Sequence, residues 1–132
     1  RENARSVDVN RNFPADNRVV APESGPWGLS EPESRAVYRV LREYRPGCVV
    51  SLHQPLGCVD YDGPAEDLAG RMAQACGLPV RQLGARPGSR GSYLSQIRRV
   101  PIVTLELLDS DSGLSEDELW NRYGTALLAA ME

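Results

Sequence analysis

The chain has 132 residues, 41% of them apolar and 25% charged, the balance of an ordinary globular domain or part of one. Fifteen basic residues against eighteen acidic ones leave a formal net charge of −3, which gives no electrostatic draw toward nucleic acid or an anionic membrane surface. No apolar run approaches the ~20 residues of a membrane-spanning helix, so neither nucleic acid nor membrane is an expected partner.

In chain order, residues 5 to 10 read as a short strand, and residues 14 to 29, with Pro14, Pro22, Gly25, Pro26 and Gly28, as a loop. A helix is expected next: Ser30 with Glu33 fits a capping box, Ala36, Val37, Val40, Leu41 and Tyr44 recur at helical spacing, and Pro46-Gly47 stops it. "CVVSL" at Cys48–Leu52 is a strand-type run that delivers His53. Gly63-Pro64 opens a second helix with Leu68, Met72, Ala75 and Cys76 on one face and Gly77 as its stop. Leu78 to Leu83 reads as another short strand and Ala85 to Tyr93, "ARPGSRGSY", as a loop. "VPIVTLELL" at Val100–Leu108 is a buried strand containing Glu106. Ser115 with Glu118 caps a last helix bearing Leu119, Tyr123, Leu127 and Ala130. Helices alternating with β-branched runs define an α/β fold, with a mostly parallel sheet covered by helices on both faces.

Cys48, Cys58 and Cys76 are an odd number without close pairing, which points to reduced buried thiols and a cytoplasmic setting, with export as the alternative. All fifteen basic residues are Arg, a bias that makes any single Arg less informative. The chain opens on Arg1-Glu2-Asn3 with neither a start methionine nor a signal-like segment, and is expected to be a piece of something longer.

Three features carry chemistry. His53, the sole histidine, stands where a strand gives way to a loop, the end of an α/β sheet at which ligands bind; a satisfied core or surface histidine is the plain alternative. Glu106 inside an apolar run would cost several kcal/mol if buried unpaired, so it needs a cation, a metal-bound water or an open strand end; an edge-strand Glu facing solvent is the alternative. The Asn10-Arg11-Asn12 run offers a guanidinium fork and amide donors suited to a carboxylate, or else simply a polar turn.

Together, "VDVNRNF", then "SLH", then "TLEL", in that order, resemble the zinc metallocarboxypeptidases of the carboxypeptidase A-like superfamily. The resemblance implies the C-terminal part of one catalytic domain over residues 1–132, its N-terminal part absent, with part of a mixed, mostly parallel sheet. It implies that Asn10 and Arg11 grip a substrate's terminal carboxylate, that His53 is a zinc ligand and that Glu106 is general base toward the zinc-bound water. Arg1, nine residues before Asn10, takes the role of the Arg that polarises the scissile carbonyl. One zinc ion is implied, yet the family's His-x-x-Glu pair of ligands is missing. Those ligands are expected from sequence before Arg1 or from a separate chain, because alternation turns Cys48 away from His53.

The short "PGSRGSY" loop and "SLHQPLGCVDYDGP" resemble the bacterial murein peptide amidase branch, which cleaves the γ-D-glutamyl–diaminopimelate bond. Arg90 would meet an acidic group of such a substrate or be an ordinary surface residue. Tyr93 would line the site or pack beneath the loop. The expected partner is a peptide or murein-peptide substrate, and nothing in the sequence fixes an oligomeric state. The competing readings are a general bacterial metallocarboxypeptidase, a non-catalytic carboxylate-binding domain, and a truncated product whose exposed sheet edges would aggregate.

Overall fold

The structure is a computed structural model and describes residues 2–131. In chain order it comprises 3-10 turns at Val9–Arg11 and Pro22–Ser24, α1 (Pro32–Tyr44), β1 (Val49–His53), β2 (Leu56–Asp62), α2 (Glu66–Cys76), β3 (Val80–Arg81), α3 (Arg90–Ser92) running into a π-helical turn at Tyr93–Arg98, β4 (Ile102–Leu108), a 3-10 turn at Asp109–Asp111, and α4 (Glu116–Ala129). None of these helices is long and apolar enough to cross a membrane. Two compact units emerge: residues up to Gly47 with Ala85–Val100, and Cys48–Gly84 with the chain from Pro101 onward.

In the first unit the strand expected at 5 to 10 does not form. Glu2 and Asp8 make one isolated antiparallel bridge, and Val9–Arg11 coils into a 3-10 turn. The reason is local. Asp8 Oδ1 accepts the Asn10 N–H at 2.9 Å, a side-chain bond that competes with a ladder, and Ser6 sits at φ 58°. The helix α1 starts at Pro32, whose fixed φ suits a first turn. The expected Ser30–Glu33 box is absent, because Ser30 Oγ donates to Glu31 Oε1 instead. Arg45 at φ 45° ends the helix ahead of Pro46. Its inner face runs through Ser34, Val37, Tyr38 and Leu41, whereas Val40 and Tyr44, expected on that face, are exposed.

The second unit is a four-stranded mixed sheet of order β1-β4-β2-β3. Two ladders, β1–β4 and β2–β3, are parallel, and β2–β4 is antiparallel. One face carries Val59, Val103 and Leu105 against Leu68, Ala69 and Met72 of α2 and Tyr123 and Ala126 of α4. Each fully buried aliphatic side chain there contributes about 1.5–3 kcal/mol. On α2 it is Ala73, not the exposed Ala75, that joins this face, and Gly77 at φ 71° stops the helix as expected. The Ser115–Glu118 capping box of α4 is present, with Glu118 Oε2 2.8 Å from the Ser115 N–H. Of the strand expected at Leu78–Leu83, only Val80–Arg81 pairs.

The strand β2 is the element that sequence periodicity misses. Gly57, Asp60 and Asp62 interrupt its apolar pattern, since only Val59 and Tyr61 turn toward the helices while Cys58, Asp60 and Asp62 point to the opposite face. At the far end of β4, Tyr123 Oη lies 3.4 Å from the Leu108 N–H and donates to the buried Asp111 carboxylate, which Arg122 also holds at 2.7 Å. The last helix thus anchors the strand that bears Glu106.

Candidate active site

The sheet register brings two of the expected site residues side by side. His53, the last residue of β1, pairs with Glu106 of β4, and Glu106 pairs on its other flank with Cys58 of β2. All three therefore lie in one row on the face opposite α2 and α4, with neighbouring side chains about 4.5–5.5 Å apart at Cβ. His53 is exposed; Cys58 and Glu106 are buried, Glu106 at 8% exposure. Its Oε2 has no hydrogen-bond partner among the described residues. A carboxylate oxygen withdrawn from water and left unbonded is costly, and its retention inside a strand points to a proton, a water or a cation supplied by function. Burial pushes the Cys58 thiol up; Arg81 opposes this, while the charges of Glu106 and Asp60 reinforce it, so Cys58 stays a neutral thiol.

Cys48 lies on the helix-covered face, its Sγ 3.9 Å from the Ala130 carbonyl, so it does not share the row with His53. Among the described residues no group of three or more His, Cys, Asp or Glu side chains could hold a metal ion. His53 can offer one ligand; the orphaned Glu106 oxygen suits the acceptance of a proton from a bound water.

In the first unit, Asn10, Arg11 and Arg90 come together. The Asn10 Oδ1 accepts the Arg90 N–H at 2.9 Å, and Arg11 Nη1 donates to the Asn10 carbonyl at 2.7 Å. All three are half-buried, and burial lowers the Arg90 guanidinium from its usual value without depriving it of charge at neutral pH. Gly88, at φ 66°, lets this loop touch the Arg11 carbonyl, where any Cβ would collide. Phe13 N–H donates to the Gly88 carbonyl at 2.9 Å, closing the same contact.

Asn12, the third member of the polar run, has a different task. It is fully buried, and its Nδ2 reaches the Ser24 and Trp27 carbonyls and Ser30 Oγ at 2.8–2.9 Å. Its Oδ1 accepts from the Glu31 N–H at 3.1 Å and from Ser34 Oγ at 2.5 Å. Sequence reasoning missed this; the signal was the loop rich in Gly and Pro that follows, whose backbone groups need a partner. Tyr93 packs beneath its loop, 5% exposed, with its ring 6.1 Å from Phe13 and 5.5 Å from Tyr38. Burial, then the Tyr38 hydroxyl, pushes its phenol up. Arg1 lies outside the described residues.

No family model matches the chain. It is 34% identical over 141 residues to murein peptide amidase A of Escherichia coli K12, covering 93% of this chain and 56% of that protein. Against murein peptide amidase A of Vibrio campbellii it is 34% identical over 125 residues, covering 81% and 50%. The crystal structure of murein-tripeptide amidase MpaA from Escherichia coli O157 superposes with a TM-score of 0.78 at 32% identity, over 98% of this chain and 60% of that one. Thrombin activatable fibrinolysis inhibitor superposes with a TM-score of 0.73 at 18% identity, over 95% of this chain and 40% of that one, a likeness of fold alone.

The fold is thus the α/β fold of the carboxypeptidase-like hydrolases. Within that class the chain is a homologue of murein peptide amidase A. It spans about half the length of the curated relatives it matches.

Proposed function

We propose that the chain is the C-terminal part of a zinc-dependent amidase that hydrolyses the γ-D-glutamyl–diaminopimelate bond of murein peptides. The observation that carries this reading is the row formed by His53 and Glu106, with a buried carboxylate oxygen that nothing in the described residues satisfies. Homology to murein peptide amidase A supports the substrate class.

In this reading His53 supplies one zinc ligand, and the remaining ligands come from outside the described residues. A bound zinc ion would acidify a water toward ~7 and polarise the amide carbonyl. Glu106 takes the proton of the attacking water as the new C–O bond forms, then passes it to the leaving nitrogen as the C–N bond breaks. Asn10 and Arg11 hold the substrate's terminal carboxylate and so fix its orientation. Arg1 steadies the oxyanion.

The test uses the product of the full reading frame. Zinc near one per chain, release of diaminopimelate from a γ-D-glutamyl–diaminopimelate peptide, and loss of that release in Glu106→Gln with metal retained are the expected results. Absence of zinc, together with binding of carboxylate ligands but no hydrolysis, would instead favour a non-catalytic carboxylate binder.

A further inference from the structure

One side-chain repeat along the same sheet face runs a second row that the proposed chemistry does not use: Ser51 on β1, Thr104 on β4, Asp60 on β2 and Arg81 on β3. Asp60 stands diagonal to Glu106 across the β2–β4 ladder, about 7–8 Å away. An aspartate in mid-strand is disfavoured by propensity, and this one is only 8% exposed. Its Oδ1 accepts the Leu83 N–H at 2.8 Å, while its Oδ2 has no hydrogen-bond partner among the described residues. Arg81 occupies the paired position on β3 and is exposed, yet no ion pair joins the two side chains. A carboxylate and a guanidinium therefore stand at paired positions without a direct ion pair, one row from the unsatisfied oxygen of Glu106. That arrangement complements a ligand carrying an ammonium and a carboxylate on one carbon.

We propose that Asp60 is the specificity-determining residue of this site. It receives the side-chain ammonium of the residue on the leaving side of the scissile bond, and Arg81 takes the carboxylate at the same side-chain terminus. The inference rests on the hydrolase reading above for which bond is cut, but not for what Asp60 binds. A diamino dicarboxylic acid satisfies both charges. Lysine satisfies Asp60 only, and an apolar side chain of similar length leaves the buried carboxylate unpaired, the kind of mismatch that sites reject most strongly.

The experiment is calorimetric binding of free diaminopimelate, lysine and norleucine to the full-length protein, alongside kcat/KM for the three corresponding γ-D-glutamyl amides. Affinity should fall by about tenfold at each step from diaminopimelate to lysine to norleucine. Asp60→Asn should weaken diaminopimelate and lysine by about tenfold or more and leave norleucine within about twofold. Arg81→Gln, at an exposed position, should weaken diaminopimelate alone. Equal affinity for the three ligands, or the same loss for all three in both variants, would overturn the proposal. Retention of the binding order in a protein that cleaves none of the amides would sustain Asp60 as the ammonium site and sink the hydrolase reading separately.

Discussion

Cys58 faces Glu106 across the β2–β4 ladder, and both side chains are buried on the face that α2 and α4 leave uncovered. The neutral thiol sets no opposing charge beside the carboxylate, and no described residue bonds its Oε2. Glu106 is thus held at a cost to stability, which is expected of a group kept for chemistry. Glu106→Gln should lower kcat by about 10²–10⁴-fold. It should leave the melting temperature unchanged or slightly raised, because the amide carries no buried charge. A fall in melting temperature with turnover intact would make Glu106 structural. Steady-state kinetics and thermal denaturation of the same preparation decide it.

Arg11→Ala removes the guanidinium of the proposed carboxylate clamp while leaving the Asn10–Arg90 contact in place. Substrates with a free terminal carboxylate should bind roughly 10- to 100-fold more weakly, and amidated ones about as before. Equal losses for the two kinds of substrate would remove the clamp from the account.

His53 is exposed at the end of β1, so His53→Ala should change folding stability by no more than about 0.5 kcal/mol. Zinc per chain in the full-length protein should nevertheless drop well below that of the parent. Elemental analysis after dialysis measures this, and unchanged stoichiometry would deny His53 the role of ligand.

Asn12→Ala should be the most damaging of the single changes in the polar run. It strands the Glu31 N–H, worth about 1–3 kcal/mol when buried and unbonded, and takes one of two donors from each of the Ser24 and Trp27 carbonyls, which keep Arg18 Nη2 and the Ser30 N–H. Denaturant titration should show a loss of about 1–3 kcal/mol, and hydrogen exchange should quicken at Leu29 and Glu31. Asn10→Ala should do neither.

Glu31 supplies a pH dependence of known sign. Hydrogen bonds from Asn3 and Ser30 hold its carboxyl below the ordinary value of 4.5, with Arg5 and Arg35 adding to the effect. A lowered folded-state pKa stabilises the fold above the unfolded value, and that contribution is lost as pH falls below about 4.5 through the folded one. Unfolding free energy measured from pH 7 to pH 3 should therefore decline at the acid end. In Glu31→Gln this part of the decline should be missing.

The sequence was most readable where burial and periodicity agree. α2, α4 and β4 show regular apolar spacing and clear stop or cap residues, and each forms close to where it was expected. β2 was illegible because the face it turns away from α2 and α4 is polar while its strand is central, so Asp60 and Asp62 read as loop residues. Residues 5 to 10 misled in the opposite sense: the alternation of Val7, Asp8 and Val9 imitates a strand, but the Asp8 side chain takes a backbone N–H that a ladder would need. The motifs marked His53, Glu106, Asn10 and Arg11 because strand-end and polar-run chemistry is written in consecutive letters. Asp60 went unnoticed, since its position beside Glu106 exists only through the antiparallel register of β2 and β4. Asn12 was grouped with its neighbours for the same reason: nothing local says which of three adjacent polar residues turns inward.

The inward turn of Asn12 has a consequence for how this part of the protein can vary. Its bonds reach main-chain carbonyls at Ser24 and Trp27, a main-chain amide at Glu31 and the hydroxyls of Ser30 and Ser34, but no side chain of Pro26, Trp27 or Leu29. The side chains of Pro26 and Trp27 stand exposed and unused in holding the path. The loop is a fixed frame with replaceable furnishings: its outward residues can be exchanged while the Asn12 amide and the Arg18 guanidinium, both on main-chain carbonyls, keep its course.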